Sequence, residues 1–299
     1  MNLPTGAFAP IPTPLDGERW PDPVALDRHL RFLRDGGLDG VLIHGTNGEF
    51  PSFEISERIA VAEAAARFGS GLSLMLCVGS CAIPEVIQLV QAARFFNYRS
   101  ALLPPPFYYR SAPLDGLIAF FRRILDTAEL PVLLYHIPQV TGVPISEAIL
   151  DAVADHPSFG GVKDSSGSSE DLARFTARLE DRAYLVGHDR LLSKARAAGG
   201  RGSITAAASV VPGLVMATQR DAANQPDLDR VRSLLESYGL GAAVKAILRH
   251  KGFGDYRTRP PLLDLDDESA DRLIVDFDAL TGSKGWEVDG PTGNDNPHR

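Results

Sequence analysis

Short apolar runs, each followed by a stretch whose apolar residues recur at helical spacing, alternate through roughly the first 220 residues. That alternation is the pattern of a parallel sheet with crossover helices. Eight strands are predicted, at 7–13, 40–44, 72–78, 100–103, 132–136, 160–163, 183–186 and 202–205. Between the first two, Asp22 ahead of Pro23 marks a helix start, Leu26, Leu30 and Leu33 recur at i, i+4 and i+7, and Gly36-Gly37 marks its stop. Ser56 precedes Ile59, Ala62 and Ala65 in the same way, and Ser168 with Asp171 has the form of a capping box before Leu172, Phe175 and Leu179. Gly69 and Gly199-Gly200 close their helices. Eight such units predict an α/β fold, a (β/α)8 TIM barrel. An open doubly wound sheet would want a glycine-rich turn after the first strand, where this chain reads PTPLDG. Beyond about residue 222 the strand signal stops. The expected organisation is a barrel over 1–222, a C-terminal helical appendage over 223–282 with helices near 228–238, 242–250 and 268–280, and a loosely held tail over 283–299 carrying a lone Trp286.

Composition narrows the classes. A chain of 299 residues with 44 % hydrophobic positions can remove roughly 75 % of its unfolded surface from water, so its core needs neither disulfides nor a structural metal. Cys77 falls in an apolar run and reads as a buried thiol, and with Cys81 it lacks the second ligand cluster of a zinc site. The net charge of −8 without a basic cluster argues against nucleic acid or anionic lipid as a partner. The start MNLPTGAFAP has no basic n-region and no long apolar h-region, and no run approaches the ~20 apolar residues of a membrane span. The expectation is a cytoplasmic protein.

In such a barrel the reacting groups lie at the C-terminal ends of the strands. Those ends read HGTNGEF, LPPPFYYR, YHIPQVTG, GVKDSSG, VGHDR and SITAAAS. Lys163 ends Phe-Gly-Gly-Val, a segment too apolar for a solvated face. Burial disfavours an ammonium, and the free amine it favours can attack a ketone and hold it as a Schiff base. A lysine that snorkels or pairs with Asp164 is the competing reading. Tyr135, at the end of the preceding strand, offers a phenol as proton shuttle, or is a core tyrosine. In Gly45-Thr46-Asn47-Gly48 the glycines let backbone N–H groups converge on a small carboxylate, with Thr46 adding a hydroxyl.

Taken together, TPLDG, GTNGE followed by SER, PPPFYY, YHIP..TG, GVKDSSG and RPPL near residue 259 resemble the dihydrodipicolinate synthase/N-acetylneuraminate lyase family of pyruvate-handling class I aldolases, from about Gly6 to Leu280. The resemblance implies that Lys163 is the Schiff-base lysine and Tyr135 the general acid/base, with Thr46 and Tyr109 completing a proton relay. It also implies that the backbone around Gly45, Thr46 and Asn47 holds the carboxylate of a 2-oxo acid such as pyruvate, and that Gly187 and Ile204 line the pocket. No metal or organic cofactor is implied. A homo-oligomer is, dimer or tetramer, with the relay tyrosine commonly donated across a dimer interface.

The chain also departs from its relatives. The synthase pattern usually carries an arginine after the fifth strand to bind the carboxylate of aspartate semialdehyde, and here Val140 stands there. A charge-assisted contact worth about 1.5–3 kcal/mol is thereby lost. Sialic-acid lyases carry acidic residues after the seventh strand, where this chain has His188, Asp189 and Arg190, and a hydroxyl residue where it has Ala206. His136 replaces the usual Asn, and Asn47 the commoner second hydroxyl residue. Gln139, His188, Asp189 and Arg190 are therefore expected to form a polar outer pocket with Val140 beside them, suited to a hydroxylated or distally acidic 2-oxo-3-deoxy acid. The synthase reaction is the alternative. From other classes come a non-catalytic 2-oxo-acid-binding paralogue and a metal-dependent barrel hydrolase using His44, His136 and His188.

Overall fold

The computed structural model describes residues 2–282 apart from 180, together with 285 and 286. Eight parallel strands, β1 Gly6–Pro10, β2 Gly40–Ile43, β3 Ser73–Cys77, β4 Ser100–Leu103, β5 Val132–His136, β6 Phe159–Asp164, β7 Ala183–Val186 and β8 Gly202–Ile204, close into one barrel with β8 paired to β1. Every predicted strand is present. The first is shorter than expected, because Pro12 has no N–H for a ladder and the pairing ends with Ile11 donating to Leu42.

Alternation along the strands builds two cores. Leu42, Met75, Leu102, Leu133, Leu185 and Ile204 point inward and fill the barrel, whereas Val41, Ile43, Leu74, Leu76, Val132, Leu134, Val162 and Val186 point outward under the helices. Cys77 belongs to the inner core, where burial pushes its thiol pKa up. This parity decides which strand-end side chains can meet inside the barrel and which cannot.

The helical punctuation is partly as predicted. Asp22 caps Pro23–Asp35 by accepting from the N–H groups of Val24 and Ala25. The next helix, Ile55–Phe68, starts earlier than Ser56 implied, with the Glu57 carboxylate reaching back to the Glu54 N–H at 3.0 Å. Ser168 caps Ser169–Arg178, yet Asp171 does not complete the box. Its carboxylate is turned toward His136 and Arg174 instead.

The C-terminal helices Gln225–Ser237, Leu240–His250 and Asp267–Gly282 place Leu228, Val231, Leu235, Ala243, Ile247, Leu273 and Phe277 in the same core cluster as the outer faces of the strands. The helix Gln225–Ser237 packs on Pro212–Arg220 and on the short segments Asp189–Leu191 and Ala206–Ser209 that follow β7 and β8. Of the tail, Trp286 packs near Gly213, and the remaining residues from 287 on lie outside the described ones. No helix among the described residues is long and apolar enough to cross a membrane.

Two histidines are sealed in this packing. His29 Nε2–H donates to the Ser209 carbonyl and Nδ1 accepts from the Tyr256 hydroxyl, both at 2.9 Å, and burial pushes its pKa down to about 4. His44 lies beside Thr13, and burial followed by the charge of Arg58 pushes it down to about 3. Both therefore stay neutral at pH values where an unfolded histidine, titrating at 6.5, already binds a proton. Stability is expected to fall as pH drops below about 6.5, by up to ~1.4 kcal/mol per pH unit for each residue, until His29 and then His44 protonate in the fold. Urea titrations near pH 8, 6 and 5 check this; a flat profile across that interval would contradict it.

Candidate active site

Lys163 and Tyr135 are directly paired across β5 and β6, as are His136 and Asp164. Since Val162 points outward, Lys163 points into the barrel, and Tyr135 does so beside it. The Lys163 side chain is 3 % exposed, with Nζ 4.0 Å from the centroid of the Tyr135 ring. Among the described residues it has no ion-pair or hydrogen-bond partner. The pairing with Asp164 is ruled out by parity: Asp164 faces the helix layer, where it accepts from the Tyr184 hydroxyl at 3.0 Å and the Ser166 N–H at 2.8 Å. His136 is turned outward too. Its Nδ1 accepts from the Ile145 N–H at 3.0 Å, which leaves Nε2–H to donate to Asp171 at 3.3 Å. Burial lowers the His136 pKa against the opposing pull of Asp164 and Asp171.

These inward groups open onto a cavity of about 200 Å³ at the C-terminal ends of the strands. On one side the Tyr135 hydroxyl lies 3.2 Å from Thr46 Oγ1. The turn carrying Thr46 is closed by Gly48 N–H donating to Gly45 O and Glu49 N–H to Thr46 O. No backbone bond among the described residues uses the N–H groups of Thr46 or Asn47, and Asn47 Nδ2 is buried with no partner. A buried amide donor without an acceptor is costly, and an oxygen-bearing ligand in the cavity would satisfy it. On the other side Gly187 is packed so closely that a Cβ would lie 2.0 Å from Ser165 Oγ and 3.0 Å from Lys163 Cε.

Of the predicted site residues, Lys163, Tyr135, Thr46, Asn47, Gly187, Ile204, Gln139 and Val140 all line the cavity. Gly45 sits at the base of the turn, outside the lining. Tyr109 is also outside it: its ring is 56 % exposed on the surface, edge-on to Tyr108. The outer pocket expected from His188, Asp189 and Arg190 needs correction. Asp189 is fully buried and receives a 2.8 Å hydrogen bond from Arg232 Nη1, because a buried carboxylate requires a paired cation. Arg190 turns away to Glu236 and Ser233. His188 lies beside Gly167, with its pKa lowered by burial and then by Arg232. None of the three lines the cavity, and neither do His44 or His136.

Arg232 and Leu240, from the C-terminal helices, take that place, together with Pro10, Ile137, Ser165 and Ala206. The sequence signal for Arg232 was its position four residues after Leu228 and next to Val231, on the edge of a buried helical stripe. An arginine at such a position is covered by whatever the stripe packs against.

The sequence model of the dihydrodipicolinate synthetase family matches residues 3–280. A relative from Chloroflexus aurantiacus, named an uncharacterised DapA-like lyase, is 36 % identical over 94 % of this chain and 98 % of its own length. A 4-hydroxy-tetrahydrodipicolinate synthase of Staphylococcus haemolyticus is 28 % identical over 85 % of this chain and 90 % of its own. Among solved structures, YagE of E. coli K12, described as a member of the dihydrodipicolinic acid synthase family in complex with pyruvate, superposes with a TM-score of 0.88 at 23 % identity, covering 93 % of this chain and 99 % of that one. CdNal of Clostridium difficile, in complex with mannosamine, gives 0.86 at 20 % identity, covering 92 % and 99 %.

The tight fit at Gly187 makes a direct prediction. Gly187→Ala should cost about 1–3 kcal/mol of unfolding free energy by overpacking and displace the Lys163 side chain. Urea unfolding and a crystal structure of the variant check it, and an unmoved lysine at full stability would contradict it.

Proposed function

Since the chain belongs to the dihydrodipicolinate synthetase family and is a class I lyase of that family, we propose that Lys163 forms a Schiff base with a pyruvate-type 2-oxo acid. We propose further that the physiological substrate is a 2-oxo-3-deoxy sugar acid, handled by aldol cleavage or condensation or by loss of water. The observation that carries this reading is the Lys163 amine, buried without a counter-ion, against the ring of a tyrosine whose hydroxyl is bonded to Thr46.

In the cycle, the Lys163 amine attacks the keto carbon and the carbinolamine loses water to give an imine, with Tyr135 delivering the proton to the departing hydroxyl. The positively charged imine draws electrons from the neighbouring carbon–carbon bond. For cleavage, Tyr135 with Thr46 takes the proton of the 4-hydroxyl, the C3–C4 bond breaks, and its electron pair becomes the enamine. For dehydration, a proton leaves C3 and the enamine expels the 4-hydroxyl as water. After cleavage the proton held by Tyr135 returns to C3 and restores an imine, and hydrolysis of the imine returns the amine in both cases. Asn47 Nδ2 and the unused N–H groups of the turn are the donors for the substrate's carboxylate. The cycle asks for no metal or organic cofactor. A Tyr109 that is exposed on the chain fits a homo-oligomer in which a second copy completes the proton relay.

The synthase reaction with aspartate semialdehyde stands second. Some curated relatives carry that name, but Val140 at the cavity offers that substrate's carboxylate no charge-assisted contact.

Borohydride reduction in the presence of pyruvate, followed by peptide mass mapping, should place one stable adduct on Lys163, and Lys163→Met should abolish it. Tyr135→Phe should slow turnover by about 10²–10⁴-fold. An adduct on another lysine, or none, would overturn the Schiff-base assignment; faster condensation of pyruvate with aspartate semialdehyde than consumption of 2-oxo-3-deoxy acids would reverse the substrate ranking.

A further inference from the structure

Arg232 reaches the active-site cavity from the helix Gln225–Ser237, which contributes no strand-end residue. Its side chain is 10 % exposed. Two of its N–H groups are committed: Nη1 donates to Asp189 Oδ2 and Nε to Glu236 Oε1, each at 2.8 Å. Nη2 makes no hydrogen bond among the described residues and is not among the sealed, partnerless polar atoms. A guanidinium has five N–H donors in one plane, so the two carboxylates fix that plane and leave donors over on a residue that lines the cavity.

We infer that Arg232 is a specificity-determining residue that donates to a neutral hydroxyl on the distal part of the substrate; this rests on the reading of the site as one for a 2-oxo-3-deoxy acid. The charge distribution favours a hydroxyl over a carboxylate. Asp189 and Glu236 together match the charges of Arg232 and Arg190, whose Nη2 lies 2.7 Å from Glu236 Oε2. A carboxylate docked on Arg232 would come close to two anions already bound to the same guanidinium, and their repulsion offsets part of its attraction. A hydroxyl accepts from the same N–H without that cost. Among the described residues, Val140 and Leu240 also line the cavity and are uncharged, and no carboxylate lines it.

The test compares consumption of three six-carbon acids by the full-length enzyme, followed by mass spectrometry so that cleavage and dehydration both count. All three carry the 4-hydroxyl: 2-oxo-3-deoxyhexonate, its analogue lacking the hydroxyls beyond C4, and 2-oxo-3-deoxyhexarate with a terminal carboxylate. The hexonate is expected to exceed both others in kcat/KM by about ten- to a hundredfold, the range of a hydrogen bond to a charged donor. Arg232→Lys keeps a cation opposite Asp189 and should shrink the advantage over the deoxygenated analogue to less than about threefold; Arg232→Met should remove it. Equal rates for hexonate and analogue in the wild type, or a preference for the hexarate, would overturn the inference without any variant having to fold. So would an advantage that survives both substitutions. Absence of a pyruvate adduct on Lys163 would instead sink the Schiff-base reading beneath it, and the two failures are thus told apart.

Discussion

A lysine held inside a barrel, with no anion to pair it among the described residues, is the condition on which the proposed chemistry depends. A buried ammonium without a counter-ion is expensive, so most folds that bury a lysine supply a carboxylate, as this one does for Lys245 with Glu49 at 2.6 Å. At Lys163 the nearest carboxylate in sequence is on the opposite face of the strand. What stands against the nitrogen is an aromatic ring, 4.0 Å away. A ring face attracts a cation weakly compared with a carboxylate and leaves the nitrogen open to a carbonyl carbon. The two buried lysines thus differ in their surroundings, one against a carboxylate and the other against a ring.

The alternation of a strand organises the supporting residues. Asp164 and His136, next to Lys163 and Tyr135 in sequence, point the other way and are bound by Tyr184, Ser166, Ile145 and Asp171. They hold the ends of β5 and β6 from outside, while Lys163 and Tyr135 face the inside. Gly187 completes the arrangement from β7's end, because any Cβ there would occupy the volume of the Lys163 side chain and Ser165 hydroxyl. Asp171 links this layer to the helices: it gives up a role in capping its own helix to bridge His136 and Arg174.

Much of the fold was legible because periodicity is a local property. Each of the eight apolar runs became a strand near its predicted limits, and Pro23 and Gly36 bracketed a helix as their backbone restrictions require. Residues at strand ends, such as Lys163, Tyr135 and Thr46, were legible as well, since barrel topology sends strand ends to one rim. The residues after β7 were not. His188, Asp189 and Arg190 lie in a loop whose side chains are directed by the helix that covers them, and no local pattern encodes that cover.

The order of strands and helices, and the placement of Lys163 and Tyr135 at strand ends, were legible in the sequence alone, because both follow from backbone restrictions and a repeat of two or of 3.6 residues. The tertiary structure decided which charged groups meet. Arg232 and Asp189 are 43 positions apart in the chain, yet share a 2.8 Å hydrogen bond at the edge of the cavity. Such a pairing depends on how a C-terminal helix seats against the loop after β7, where a buried carboxylate is costly without a cation, and that is a property of the packed molecule.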